Sequence, residues 1–314
     1  MTSSSAISGN ALRGIALKIA SVAIFVGMST CIKAAGQLPA GQIVFFRSFF
    51  AILPIVIMLA WRKELRQGLT TAHPWGHIAR GVVGVMSMGL GFFALTRLPL
   101  TDAITLNYAQ PLLVIVFSAI FLREAIHMYR WSAVLVGLVG VVTISWPKLT
   151  LFGAEDPMSV DMAAGVLAAL VAAAMSAVAL LLVRRLVHTE KTATIVLWFS
   201  LTASVAGLCT APFGWAALTF EQTAFLIGAG FCGGVAQIFM TQSYRYAEAS
   251  TVAPFEYTSM ILGIIVGYWA FGDIPTLHTI VGGAIVISAG LFIIWRERQL
   301  GLERGAARKV SPPQ

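Results

Sequence analysis

One carboxylate stands in an otherwise apolar stretch, Ala253-Pro254-Phe255-Glu256-Tyr257-Thr258-Ser259. An acidic side chain at the centre of a membrane helix costs about 2.5–3.5 kcal/mol on insertion scales, so it must face water, a partner or a ligand. There Glu256 is placed to hold an ammonium group or to carry a proton, or to brace two helices. Pro254 lacks a backbone N–H and frees a carbonyl beside it. A second polar run holds Thr105, Asn107, Tyr108, Gln110 and Pro111. Asn and Gln both donate and accept hydrogen bonds, and positions 107, 110 and 111 fall within about one helical turn. Tyr108 and Tyr257 offer two aromatic faces, walls of a slot for a flat ring. The same residue types also serve interhelical packing. Arg47, a turn into another apolar stretch, either binds a carboxylate or phosphate or snorkels to the headgroups. Gln237, Gln242 and Tyr244 form one stripe, with Gln237 and Tyr244 seven apart on one face. The candidate binding set is Glu256, Tyr257, Asn107, Tyr108, Gln110, Gln237, Tyr244 and Arg47.

No catalytic constellation and no metal set is legible. His73 and His77 are four apart, but Pro74 lies between them and no third ligand is near, so both read as loop histidines. Cys31, Cys209 and Cys232 have neither paired nor metal-type spacing. No cofactor is expected.

The elements that must position these residues are membrane helices. The 314 residues include only 21 Lys/Arg and 13 Asp/Glu, 58% belong to the apolar set, and mean hydropathy is +0.85. A soluble domain carries roughly 25% charged residues. At 11% this chain cannot cover itself with polar surface, which excludes an ordinary soluble enzyme, a disordered chain and a nucleic-acid module. Ten apolar segments approach the roughly 20 residues that cross a bilayer: 14–32, 43–61, 78–95, 101–122, 131–146, 162–183, 192–213, 225–244, 251–271 and 280–295. Apolar residues run continuously instead of alternating, so strands are excluded. The first segment reads as a retained span, not a cleaved leader.

With the N-terminus inside, the cytoplasmic regions hold 17 Lys and Arg and the outer ones 3, namely Lys33, Arg97 and Lys148. That is the positive-inside bias for an even helix count. It predicts an inner-membrane, multi-pass protein with both ends cytoplasmic and a basic tail touching anionic lipid.

The chain also repeats itself. At an offset of 149, Gly81 meets Gly230, Gly84 meets Gly233, Asn107 meets Glu256, Tyr108 meets Tyr257 and Glu124 meets Asp273. At 151, Gly14 meets Gly165 and Lys33 meets Arg184; at 152, Ser48 meets Ser200. Five spans per repeat is odd, so the second copy enters from the opposite face. Inverted repeats are a route to alternating access around a midplane site. The expected organisation is a repeat over 1–150, a second over 151–296 and a basic cytoplasmic tail over 297–314. The polar stretch Pro147 to Asp161 forms the link. Gly230 with Gly234 and Gly263 with Gly267 predict close helix packing. Glu124 and Asp273, at matching helix ends, read as caps or ion-pair partners.

Two five-helix halves resemble the drug/metabolite transporter superfamily, EamA type. The resemblance rests on Pro111-Leu112-Leu113 through Phe121-Leu122-Arg123-Glu124 and on Pro254-Phe255-Glu256-Tyr257 through Gly267-Tyr268-Trp269-Ala270-Phe271-Gly272-Asp273. It implies an all-α integral membrane protein of ten helices, two inverted repeats around a central cavity lined by the first, third, fourth, sixth, eighth and ninth helices. It also implies a secondary carrier, not an enzyme, and no Walker-type phosphate loop is present. The partners expected are a small-molecule substrate, the lipid bilayer and a coupling proton; no nucleic acid is expected. Members of the superfamily move amino acids, nucleotide-sugar-like compounds, S-adenosylmethionine or flavins. The paired tyrosines favour a planar, neutral or zwitterionic cargo such as a flavin-like vitamin. Glu256 is expected to face Asn107 or Tyr108 across the cavity.

Overall fold

The computed structural model describes residues 9–65, 68, 70–122, 128–149, 157–186, 189–246 and 253–310. Eleven helices follow in order: α1 Gly9–Ala34, α2 Ala40–Trp61, α3 Pro74–Arg97, α4 Leu100–Asn107, α5 Ala109–Leu122, α6 Met128–Leu149, α7 Pro157–Leu186, α8 Thr192–Leu208, α9 Phe220–Tyr246, α10 Thr258–Phe271 and α11 Leu277–Val310. Two 3-10 turns, Ala211–Phe213 and Ala253–Tyr257, complete the described elements, with no strand among them. Helices α1, α2, α3, α7, α8 and α9 carry apolar spans of 21 to 24 residues. With α4 and α5 counted as the two halves of one crossing, and α10 with its preceding 3-10 turn as another, the spans number ten.

The fourth crossing breaks at Tyr108 for a local reason. Its N–H reaches back only three residues, to Thr105 O at 3.1 Å, which tightens the end of α4. Pro111 then has no N–H to offer Asn107, and it sits in the first turn of α5, where proline is tolerated. The ninth crossing likewise opens with a 3-10 turn that holds Pro254 and Glu256. Glu256 therefore precedes the α-helix instead of lying inside it. One further expectation is corrected. The link is shorter than Pro147 to Asp161, because α6 runs to Leu149 and α7 begins at Pro157. The tenth crossing continues as one helix to Val310, into the residues read as a basic tail.

Aromatic side chains stand exposed near the helix ends: Trp61 and Trp75 toward one face, Phe213, Phe220 and Trp269 toward the other. That is where amphipathic rings sit at a bilayer interface. Inside, α1 packs along α9 and α3 along α7; α2 meets α8 and α9; α3 meets α8; α6 meets α11; and α4 meets α10. Number the crossings one to ten and exchange each with the one five places away. The α1–α9 contact becomes the α7–α3 contact, and α2–α9 becomes α8–α3. The remaining three pairs map onto themselves.

Candidate functional site

The break in the fourth crossing and the 3-10 turn of the ninth meet beside α1. Tyr108 is buried, and its hydroxyl shares a 2.6 Å hydrogen bond with Ser259 Oγ, at the start of α10. The Tyr108 and Tyr257 rings touch edge to face, centroids 5.2 Å apart at 71°. In this conformation they leave no gap for a ring, so the slot expected between them is closed. The Tyr257 hydroxyl reaches α11 at Gly290, where no side chain would fit.

Glu256 does not pair with Asn107 or Tyr108. Its partner is Lys18 of α1. Lys18 is 1% exposed and the Glu256 side chain 48%, so a buried ammonium meets a carboxylate that still sees open space. A lysine buried in this way is sustained by its counter-charge. Lys18 is one of the 17 basic residues assigned to the cytoplasmic flank by sequence, yet it lies buried inside the first span. Arg80, also counted there, sits in the second turn of α3 with its guanidinium carbon 3.5 Å from the centre of the Phe199 ring. Taking these two from 17 leaves 15 against 3, and the basic bias survives.

The other candidates fall in three places. Asn107 is exposed beside the Tyr108 break, and Gln110 is half-buried one turn on. Arg47 is buried, 8% exposed, and does not snorkel outward: its guanidinium lies against Gly233 of α9. Gln237 belongs to a different space, a cleft of about 350 Å³ lined by Ile55, Arg62, Glu190, Gln237 and Gln242 among others. The Tyr244 side chain lies outside the described residues, as does Glu124.

Several polar residues escaped the sequence reading. Asp102 of α4 is 2% exposed and accepts a 2.5 Å hydrogen bond from Thr279 Oγ1 of α11. His77 is not a loop histidine: it is buried in the first turn of α3 and stacks on Trp198 at 5.7 Å. Glu190, in the α7–α8 turn, accepts from Thr71 Oγ1 at 2.5 Å and from the N–H of Ala72 at 2.9 Å and His73 at 3.3 Å, with His77 Nε2 at 3.8 Å. Desolvation alone would raise its carboxyl, but these donors together hold it below the ordinary carboxylate range. Toward the other face, Lys33 Nζ donates to Leu98 O at 2.6 Å and lies 3.4 Å from Asp273 Oδ2. The same Oδ2 accepts the Leu100 N–H at 3.0 Å, so Asp273 caps α4. This clasp joins α1, the α3–α4 turn and the end of α10.

Comparison with known proteins places this geometry. The EamA-like transporter family model matches residues 12–146 and 163–296. A riboflavin transporter of Rhizobium johnstonii is 30% identical over 262 residues, covering 82% of each chain. A pseudopaline exporter, CntI, of Pseudomonas aeruginosa is 29% identical over 283 residues, covering 88% of this chain and 94% of its own. An S-adenosylmethionine uptake transporter of Rickettsia bellii is 27% identical over 261 residues, covering 82% and 84%. A solved crystal structure at 19% identity superposes with a TM-score of 0.63, covering 91% of this chain and 98% of that one, which bears on the fold alone. With both halves of the chain matched, this ten-span membrane protein belongs to the EamA-like transporter family.

Proposed function

We propose that the chain is a secondary carrier that moves a small organic metabolite across the inner (cytoplasmic) membrane by alternating access, with both termini cytoplasmic. The repeats over 1–150 and 151–296 exchange conformations, and residues 297–314 serve as a basic tail. The observation that carries this reading is the Lys18–Glu256 pair, set where a broken fourth crossing meets the 3-10 start of the ninth. An ion pair with one buried and one half-open member is a releasable lock. A cationic cargo group, or a proton on Glu256, competes with Lys18 for the carboxylate, and the helices it joins are freed to move. Tyr257 and Tyr108 stand beside that lock, Asn107 is exposed at the break and Gln110 follows it, and Arg47 lies against Gly233 of α9. Gln237, in the separate cleft, and Tyr244 complete the proposed set.

Among cargo classes, the charged groups in the spans favour a zwitterion, in the manner of an amino acid or S-adenosylmethionine. A flavin-like vitamin is the second reading, supported by the riboflavin transporters among the relatives. It requires the Tyr108–Tyr257 contact to open.

The test is uptake into vesicles reconstituted with purified protein, using labelled S-adenosylmethionine, amino acids and riboflavin, from pH 5.5 to 8. Glu256→Gln should cut transport roughly tenfold or more, the loss expected from one charge-assisted contact of about 1.5 kcal/mol. The double change Lys18→Gln, Glu256→Gln removes both charges and should recover folding without recovering transport. Wild-type rates from Glu256→Gln with an unchanged pH profile would remove the lock from the mechanism.

A further inference from the structure

Among the described residues, the cations held well inside the spans are Lys18, Arg47 and Arg80, and Lys18 is matched by Glu256. Arg47 Nε, Arg80 Nε and Arg80 Nη1 are buried and have no hydrogen-bond partner. Leaving a guanidinium N–H unmade in a low-dielectric interior is costly, and two like charges buried in one interior repel each other. They reach for the same depth. A Cβ on Gly233, the midpoint of α9, would meet Arg47 Nε at 3.2 Å and Met28 Sδ at 2.9 Å. Arg80 points along α3 away from its start, its Nη1 2.7 Å from where a Cβ on Gly84 would sit, close enough to Arg47 to feel its charge. Met28 and Phe199, which flank the two groups, belong to one apolar cluster. Gly84 and Gly233 are themselves repeat-related, so the absence of a side chain at each makes room for a guanidinium in both halves.

Arg80 stacks on the Phe199 ring, but that contact leaves its buried Nε and Nη1 without acceptors. At the offsets that align the repeats, Arg47 corresponds to Phe199 and Arg80 to Ala229. The cations break the internal symmetry that the helix contacts keep.

We propose that Arg47 and Arg80 form an oxyanion subsite that takes the carboxylate end of the transported molecule. This deepens the carrier reading and rests on it. A carboxylate between two guanidinium forks satisfies the unpartnered donors and cancels the repulsion, in a planar geometry that arginine matches and lysine does not. The cargo is thereby an organic acid or a zwitterion, and a neutral vitamin has no use for the subsite.

The probe is succinate, with succinamide as its uncharged counterpart, added to the purified full-length chain in detergent at matched ionic strength. At about 50 mM, well above a millimolar Kd, succinate should raise the thermal unfolding midpoint and succinamide should not. Arg47→Gln and Arg80→Gln should each weaken the succinate response roughly ten- to hundredfold. Their ligand-free midpoints should stay level or rise, because each removes an unpaired buried charge. If either glutamine variant does not fold, the corresponding lysine variant keeps the charge and loses the fork, and should weaken the response about tenfold. An equal response in wild type and variants, or none in wild type, overturns the subsite. A chain that carries riboflavin in vesicles yet ignores succinate overturns the subsite and leaves the carrier reading standing. A chain that binds succinate through both arginines but moves no metabolite does the reverse.

Discussion

Glu190 shows what one carboxylate does when three donors converge on it. It fastens the entry of α3 to the α7–α8 turn and places negative charge at a helix start. Its folded carboxyl titrates below the unfolded one. The stabilisation is thus complete above the unfolded value and disappears as the pH falls through the folded one. Glu190→Gln should lower the unfolding midpoint by roughly 3–6 °C at pH 7, and the gap should close on acidification through the carboxylate range. A gap that is constant with pH would show that the charge contributes nothing. Glu190 was not legible beforehand, since a loop carboxylate beside Lys191 looks like ordinary solvated surface. Glu256 was legible, because an acid in an apolar run has few cheap explanations. Lys18 and Arg80 were not, for the opposite reason. Cations near a span's inner end are the expected topology signal, and a side chain several ångströms long hides whether it points to headgroups or to the interior.

Helix packing here turns on where side chains are missing. On α9, a Cβ at Gly234 would lie 2.7 Å from Ala51 O, and one at Gly230 would lie 2.9 Å from Phe46 O, both backbone atoms of α2 that cannot step aside. Gly228, on the same helix, has nothing within 4 Å. Gly234→Ala should therefore cost about 1–3 kcal/mol through overpacking, while Gly228→Ala is neutral or gains up to about 1 kcal/mol in helix propensity. Unfolding of both variants in detergent checks the contrast, and equal behaviour would mean that α2 and α9 do not approach as described. The spacing of Gly230 and Gly234 announced this contact. Gly263 and Gly267 meet side chains and no backbone, Ile104 for the first and Thr101, Asp273 and Leu100 for the second, a difference the same spacing cannot show. Pro111 marked the fourth crossing's break because proline has no N–H to give. Pro254 marked the loosened start of the ninth crossing, though not its 3-10 form, and the helical residues on either side of the α6–α7 link were hidden because polar composition marks exposure, not the end of hydrogen bonding.

Ten crossings and their antiparallel order were written in the apolar runs, and once the halves are seen as copies the α1–α9 pairing carries the α3–α7 pairing with it. What the copies do not share is a matter of single side chains. The clasp of Lys33, Leu98, Leu100 and Asp273 is described in one half alone, since the residues at the matching offsets, Arg184 and Glu124, have side chains outside the described residues. Asp273→Asn weakens both the ion pair and the cap on α4, together about 1–2 kcal/mol, a factor of roughly 5–30 in a two-state balance. Labelling by a bilayer-impermeant maleimide, read by mass spectrometry, should become faster by that order at half-buried Cys31 of α1, with exposed Cys209 as internal reference. An unchanged ratio would free the clasp of any part in opening. On the carrier reading, the clasp has to part before the chain changes conformation. A ligand moves a conformational equilibrium only by the difference in its affinity for the two states. On the carrier reading, a compound that grips both states equally, however tightly, leaves the Lys33–Asp273 balance where it was. Passengers and blockers of this protein would then share a chemistry of recognition and part company over whether their grip tightens once the clasp lets go.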